Sequence, residues 1–284
     1  MNRSRGLRET LVMQGTELCA RDPDVLRGGL RQQIPLLALG IAAAGVYFAA
    51  LLTLDISPSR IISGLGRLAD IAILMLPPNP ESWARVLLYL GALGQTLAIA
   101  FLGTLLGAIF GCPFGFLAAR NVVANRLIHF LSRRSLDTVR SVDTLIWINV
   151  VGLGPFAGAL AIMSSDLGAY GKLFSEAIEA ADRKPVDGVL SAGGSRLHAI
   201  RFGMLPQVLP VFASQVLYFF ESNTRSATII GIVGAGGIGL QLFEQIRVLE
   251  WQQVSFLILM VLITVAAIDW MSQRLRGAII GQRP

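Results

Sequence analysis

Residues 176–206 read EAIEAADRKPVDGVLSAGGSRLHAIRFGMLP, the longest polar interval between hydrophobic spans in the second half of the chain. Lys172, Arg183, Lys184, Arg196 and Arg201 lie on or beside it. Cytoplasmic loops of membrane proteins carry an excess of Lys and Arg, so the stretch is expected on the cytoplasmic side. Pro185 suits the first turn of a helix, where its missing N–H leaves nothing unpaired, and Asp187 complements the positive end of the helix dipole. Gly193 and Gly194 then break the chain, Ser195 is placed to cap a second helix, and Pro206 falls where that helix meets the next apolar run. The reading is helix, glycine turn, helix.

The surrounding composition belongs to a membrane protein. Of 284 residues 54% are hydrophobic and only 15% charged, with a mean hydropathy of +0.63; a bundle of membrane helices has this balance and a soluble domain rarely does. The net charge of +6 is small and dispersed, and no block of aromatics interleaved with basic residues points to nucleic acid. Cys19 lies in a polar arm and Cys112 in an apolar span, so neither a disulfide nor a metal site is expected, and His129 and His198 are isolated. Residues 1–31 hold six arginines and four acids without an apolar core. They read as a cytoplasmic arm rather than a secretory signal.

Uncharged runs locate the spans, since about 20 apolar residues cross the hydrocarbon core as a helix. Residues 32–54 form the first, and 55–90 an external loop with an interfacial helix near 61–76, where Arg67 and Asp70 interrupt the apolar run. A membrane helix is expected over 91–118, preceded by an interfacial lead-in with Trp83 and Tyr89. Its Gly103, Gly107 and Gly111 recur every fourth residue, a spacing that lets helices pack closely. Arg120, Arg126, Arg133 and Arg134 mark a cytoplasmic loop. Residues 136–151 return outward and 156–170 come back in; Arg140, Asp143 and Asp166 within them are costly in lipid and should face the bundle interior. Beyond 206 come 207–220, a polar interval at 221–225, a glycine-rich segment at 226–242, a last span at 251–268 and a tail at 275–284. This predicts an all-α membrane protein of about six transmembrane helices with both termini cytoplasmic, its main transmembrane domain over 91–274.

The stretch at 176–206 resembles the cytoplasmic coupling loop of ABC-importer permeases, whose signature is Glu-Ala-Ala, three residues, Gly, nine residues, an apolar residue, one residue, then Leu-Pro. Counting back from Leu205 and Pro206 sets the glycine on Gly193 and the acid on Asp187. Gly188 and Val189 replace the two alanines, and Gly203 replaces the apolar residue. Three further strings resemble the phosphonate-type subfamily: VGLGPFAGALA at 151–161, GKLFSEAIEA at 171–180 and FESNTRSATIIGIVGAGGIGLQLFEQI at 220–246.

The resemblance implies a permease of the type I importer fold, multi-pass in the inner (plasma) membrane, with no catalytic centre and no cofactor of its own. It implies a pair of ATPase subunits that bind ATP and Mg, an external substrate-binding protein and a second permease copy as a homodimer in membrane lipid. The cargo implied is phosphonate, phosphite or hypophosphite. A same-fold permease for phosphate or another small solute such as methionine is the alternative. Coupling to the ATPase would fall on Asp187, Gly188, Gly193, Gly194, Leu205 and Pro206. The chain has no phosphate-binding loop of the Gly-Lys-Ser/Thr type, consistent with ATP hydrolysis on another subunit.

Two groups of residues suit an oxyanion path, Arg225 with Ser226 and Thr228, and Arg140 with Ser141 and Thr144. Guanidinium forks match phosphorus oxyanions, and hydroxyls add neutral donors. The same arginines could instead pair with Glu221 and Asp143 one turn away. Gly231, Gly234, Gly236, Gly237 and Gly239 could form a bend at a gate or a close packing surface. Gly234, Gly236 and Gly239 also match G-x-G-x-x-G, but with no preceding strand and no acid about 20 residues on, nucleotide binding is not expected. A secondary transporter would show inverted repeats and coupled intramembrane carboxylates. A membrane-embedded enzyme would need a cluster of His, Cys or acids, whereas Asp143, Asp166 and Glu221 are scattered.

Overall fold

The computed structural model describes residues 30–54, 58–123 and 125–281, in which every regular element is helical. The expected N-terminal arm lies outside the described residues as far as residue 29. The chain divides into two units, Met1–Asp70 and Ile71–Pro284. The first contains α1 (Leu30–Thr53) and most of α2 (Pro58–Leu74). α1 presents Leu36, Leu39, Val46 and Phe48 outward, and no residue of its apolar window is buried. A helix apolar all round and unburied is stable in lipid, not in water. α2 is amphipathic and, at 17 residues, shorter than a span.

The second unit holds α3 (Trp83–Ala118), α4 (Arg126–Arg140), α5 (Thr144–Val151), α6 (Pro155–Glu179), α7 (Arg183–Ser191), α8 (Arg196–His198), α9 (Leu205–Ile230), α10 (Gly237–Arg247) and α11 (Trp251–Ile280). Wide π turns at Ala199–Met204 and Gly231–Ala235 join α8 to α9 and follow α9. Among the described residues, four stretches are long and apolar enough to cross a bilayer: Ile34–Thr53, Trp83–Ala118, Arg196–Ala235 and Trp251–Ile279. α6 has the length of a span at 25 residues, but carries Asp166 and Lys172.

Close approach between α3 and α6 is the centre of the packing. A Cβ added to Gly103, Gly107, Gly111 or Gly115 would lie 2.6, 2.7, 2.8 or 2.7 Å from the Cβ of Ile162, Asp166, Tyr170 or Phe174 respectively. Both sets rise together in steps of four, so the two helices run parallel with their i±4 ridges in register. Lipid tails are as apolar as leucine side chains, so association in a membrane depends on such dispersion contacts rather than on escape from water. Parallel neighbours need a return pass between them, and α4 with α5 supplies it. Leu136 meets Gly171 and Arg140 meets Gly168, which sets α4 antiparallel to α6. Aromatic stacking extends the core onto α9, where Phe174 and Phe212 have ring centroids 3.9 Å apart.

Several sequence expectations change in detail. α3 starts at Trp83 without a separate lead-in, capped by Ser82, and Tyr89 is buried with its hydroxyl donating to Gln253 Oε1 at 2.6 Å. The pass expected over 136–151 is two helices broken at residues 141–143. The polar interval 221–225 does not interrupt α9, because Glu221 and Arg225 lie one turn apart on a face that meets α11. α11 likewise continues past residue 268, since Asp269 pairs with Arg225 and Arg276 with Glu221.

Candidate functional site

The loop at 176–206 folds largely as its residues dictate. Asp182 caps α7, its side chain accepting from Lys184 N at 3.0 Å, and Pro185 sits in the first turn. The helix ends in a Schellman motif: Gly193 N–H donates to Leu190 O and Gly194 N–H to Val189 O, each at 3.0 Å. Gly193 has φ +83°, a left-handed conformation that side chains with a Cβ rarely adopt. Ser195 caps α8 through a capping box, its hydroxyl accepting from His198 N–H while His198 Nδ1 accepts from Ser195 N–H. Asp187, Gly188 and Gly193 are exposed, as a docking surface requires.

Beyond α8 the structure departs from the expected second helix. α8, the π turn and α9 form one continuous helical stretch, and Pro206 lies inside it rather than at a break. Proline offers no N–H to the carbonyl four residues back, and the chain absorbs this by widening, with Leu205 N–H donating to Ile200 O. The widened turn packs on α7. A Cβ on Gly203 would stand 2.8 Å from Val186 Cα, so only glycine fits where the signature has an apolar residue. Gln207 completes the joint, its Oε1 accepting from Asp182 N–H at 3.0 Å and its Nε2 donating to Asp182 O at 3.1 Å and to Gly203 O at 2.6 Å. Gln207 escaped the sequence reading because its partner lies 25 residues away.

The two arginine groups occupy different surroundings. Arg225 projects from α9 toward α11, 3.8 Å from both Glu221 and Asp269, with 52% of its side chain exposed. Glu221 also accepts from Arg276 at 2.8 Å, so this acid is shared between two guanidinium groups. Ser226 and Thr228 turn their hydroxyls to the carbonyls of Ser222 and Thr224, each at 3.3 Å. Arg140 ends α4 beside Gly168 and has no ion-pair partner within 4 Å among the described residues; the pairing considered with Asp143 does not form. Ser141 donates to Thr138 O at 2.7 Å, and Thr144 opens α5.

One buried polar group was not singled out as a site from the sequence. Asn223 Nδ2 lies 2.8 Å from Thr104 Oγ1 and 2.6 Å from Asp166 Oδ2, tying α9 to α3 and α6, with all three residues buried. Asp166 therefore faces partner helices, as its cost in lipid demands.

The glycines after α9 form a sharp turn. Gly234, Gly236 and Gly237 have φ of +114°, +79° and +71°. A Cβ on Gly239 would overlap Thr228 O, and one on Gly231 would meet Gly236 O at 2.5 Å. The N–H groups opening α10 are already taken: Gly237 N donates to Gln95 Oε1 and Ile238 N to Thr96 Oγ1, both at 2.9 Å. A dinucleotide site needs these donors free for phosphate, so the G-x-G-x-x-G match has another use, the close fold-back of α10 onto α3 and α9.

The fold is shared with chains of ABC transporters of solved structure. Across 70% of this chain and 99% of the other, it superposes on a chain of the inward-facing MetNI methionine ABC transporter with a TM-score of 0.61 at 18% identity. A chain of an amino acid ABC transporter crystallised with histidines gives 0.56 at 14% identity, over 68% of this chain and 94% of that one. No protein-family model matches the chain. PtxC of Stutzerimonas stutzeri, a phosphite transport system permease protein, is 33% identical over 264 residues, covering 89% of this chain and 92% of PtxC. HtxC of the same organism, ascribed to a phosphite transport system, is 40% identical over 222 residues, 77% of this chain and 78% of HtxC. PhnE of Mycolicibacterium smegmatis, a phosphate-import permease protein, is 33% identical over 255 residues, 88% of this chain and 48% of PhnE. The chain belongs to the family of phosphite and phosphonate transport system permease proteins. It is a multi-pass integral membrane protein and a transport subunit, not an enzyme.

Proposed function

We propose that this chain is the permease of an ATP-driven importer that moves a phosphorus oxyanion, phosphonate, phosphite or hypophosphite, across the inner (plasma) membrane. The observation that carries the reading is its identity to PtxC over nearly the full length of both chains. Two copies would enclose the path as a homodimer, with both termini of each copy cytoplasmic. A pair of ATPase subunits, holding ATP and Mg, would dock on α7, and an external binding protein would deliver the anion.

The geometry suits these roles. α7 is a short rigid helix held to the start of α9 by Gly203 and Gln207. Force applied to its exposed face, through Asp187, Gly188 and the turn at Gly193 and Gly194, is passed to Leu205, Pro206 and the long helix behind them. Packed helices move as rigid bodies between discrete arrangements, so closure of the ATPase pair can become a rotation of α9. On the path itself, Arg225 with Ser226 and Thr228 and Arg140 with Ser141 and Thr144 would meet the anion. The positive-φ turn from Gly231 to Gly239 would form the bend at the gate.

Phosphate is the second reading, favoured by the name of the PhnE relative. Uptake into proteoliposomes carrying the chain with its ATPase and binding-protein partners separates the two. Transport of phosphite or a phosphonate that excess phosphate does not suppress supports the first reading; transport of phosphate alone supports the second.

A further inference from the structure

Between the end of α3 and the first turns of α4 lies a cavity of about 510 Å³ lined by Arg120, Val123, Arg126, His129 and Phe130. Among the described residues, no carboxylate forms an ion pair with Arg120 or Arg126. His129 Nδ1 donates to Ala118 O at 2.7 Å, which leaves Nε2 to accept from Arg120 Nε at 3.4 Å. The Arg120 guanidinium thus meets an imidazole nitrogen rather than a carboxylate. The nearby acid, Glu179, is occupied by the Arg120 backbone N–H at 2.8 Å and by Arg133 at 3.8 Å. Arg126 has no ion-pair partner among the described residues. One turn beyond His129, Arg133 Nε is buried without an acceptor among the described residues.

Beside these charges α4 exposes Leu127, Phe130 and Leu131, at 63%, 56% and 53% of their surface. Paired guanidinium groups match phosphate oxygens, while unpartnered apolar side chains match acyl chains. A free phosphate ion would satisfy the first set and leave the second bare. We propose that this elbow binds an anionic glycerophospholipid, its phosphate between Arg120 and Arg126 and its chains along the apolar side of α4. Arg120 also lines a second cavity, of about 310 Å³, with Val186, Leu190, Arg196 and Met204 behind α7. The bound headgroup therefore adjoins the seat of the loop helix.

The test uses the purified full chain in detergent, equilibrated with equal phosphatidylglycerol and phosphatidylcholine, with retained lipid read by native mass spectrometry. Phosphatidylglycerol should be retained in several-fold excess, and the double variant Arg120→Gln/Arg126→Gln should lose that excess. Arg183→Gln, at an exposed position on α7 that lines neither cavity, should keep it. Should the double variant misfold, Arg126→Gln alone must lower the excess. Equal retention of the two lipids overturns the proposal, as does an equal loss in Arg183→Gln, which would show only diffuse attraction. Displacement of the lipid by millimolar inorganic phosphate overturns it in favour of a free-phosphate site, and displacement by an added acidic peptide in favour of a protein partner.

Discussion

At the scale of single residues, the chain uses glycine where two backbones must touch. Gly107 faces Asp166 so closely that an added Cβ would stand 2.7 Å from the Asp166 Cβ. Replacement by leucine forces α3 away from α6, an overpacking cost of about 1–3 kcal/mol. Gly107→Leu should therefore melt well below the parent protein in a detergent thermal-shift assay. Gly64→Ala, with open space around the added carbon, should melt with it. Arg225 makes the other residue-scale prediction. Losing a charge-assisted contact to the anion, worth about 1.5–3 kcal/mol, should weaken apparent affinity in uptake by roughly tenfold or more in Arg225→Gln. Asp269→Asn removes a partner of Arg225 but not the guanidinium, and should leave affinity near the parent value. Equal damage from both would show that the arginine serves only the α9–α11 ion pairs.

At the scale of elements, the loop at 176–206 shows what local sequence determines. The cap at Ser195, the break at Gly193 and Pro185 in the first turn of α7 all follow from preferences that act within a few residues, and all were legible in the chain. Continuity through Pro206 was not, because it depends on a π turn supported from outside by Val186 and Gln207. The same holds for Asn223 and Asp166, which are 57 residues apart and meet only when α6 and α9 pack. Pairs at i,i+4 were partly readable: Arg225 does approach Glu221, but its second partner, Asp269, comes from another helix. Gly193→Val forces a β-branched residue into left-handed backbone at a cost of about 1–2 kcal/mol. The variant should assemble with its ATPase but lose substrate-stimulated hydrolysis. Gly193→Asn, a residue type that tolerates this conformation, should retain most of it. Full stimulation in the valine variant would remove the turn from the coupling path.

At the scale of the whole molecule, the hydropathy pattern announced a membrane bundle and the subfamily strings announced its relatives. The order of packing came only with the structure. The parallel pair α3 and α6 shares one glycine-lined seam, α4 and α5 return between them, and α9 with α10 folds back onto α3 through Gln95 and Thr96. No nucleotide site is built at that fold-back, and in the proposed importer the energy for transport would enter through α7. The most direct measurement is ATP hydrolysis by the chain reconstituted with its ATPase pair and binding protein, as each candidate oxyanion is added. The proposed oxyanion importer should be stimulated by phosphite, hypophosphite or a phosphonate, and not by methionine. Hydrolysis that responds to no phosphorus oxyanion, in a complex shown to be assembled, would contradict the proposal.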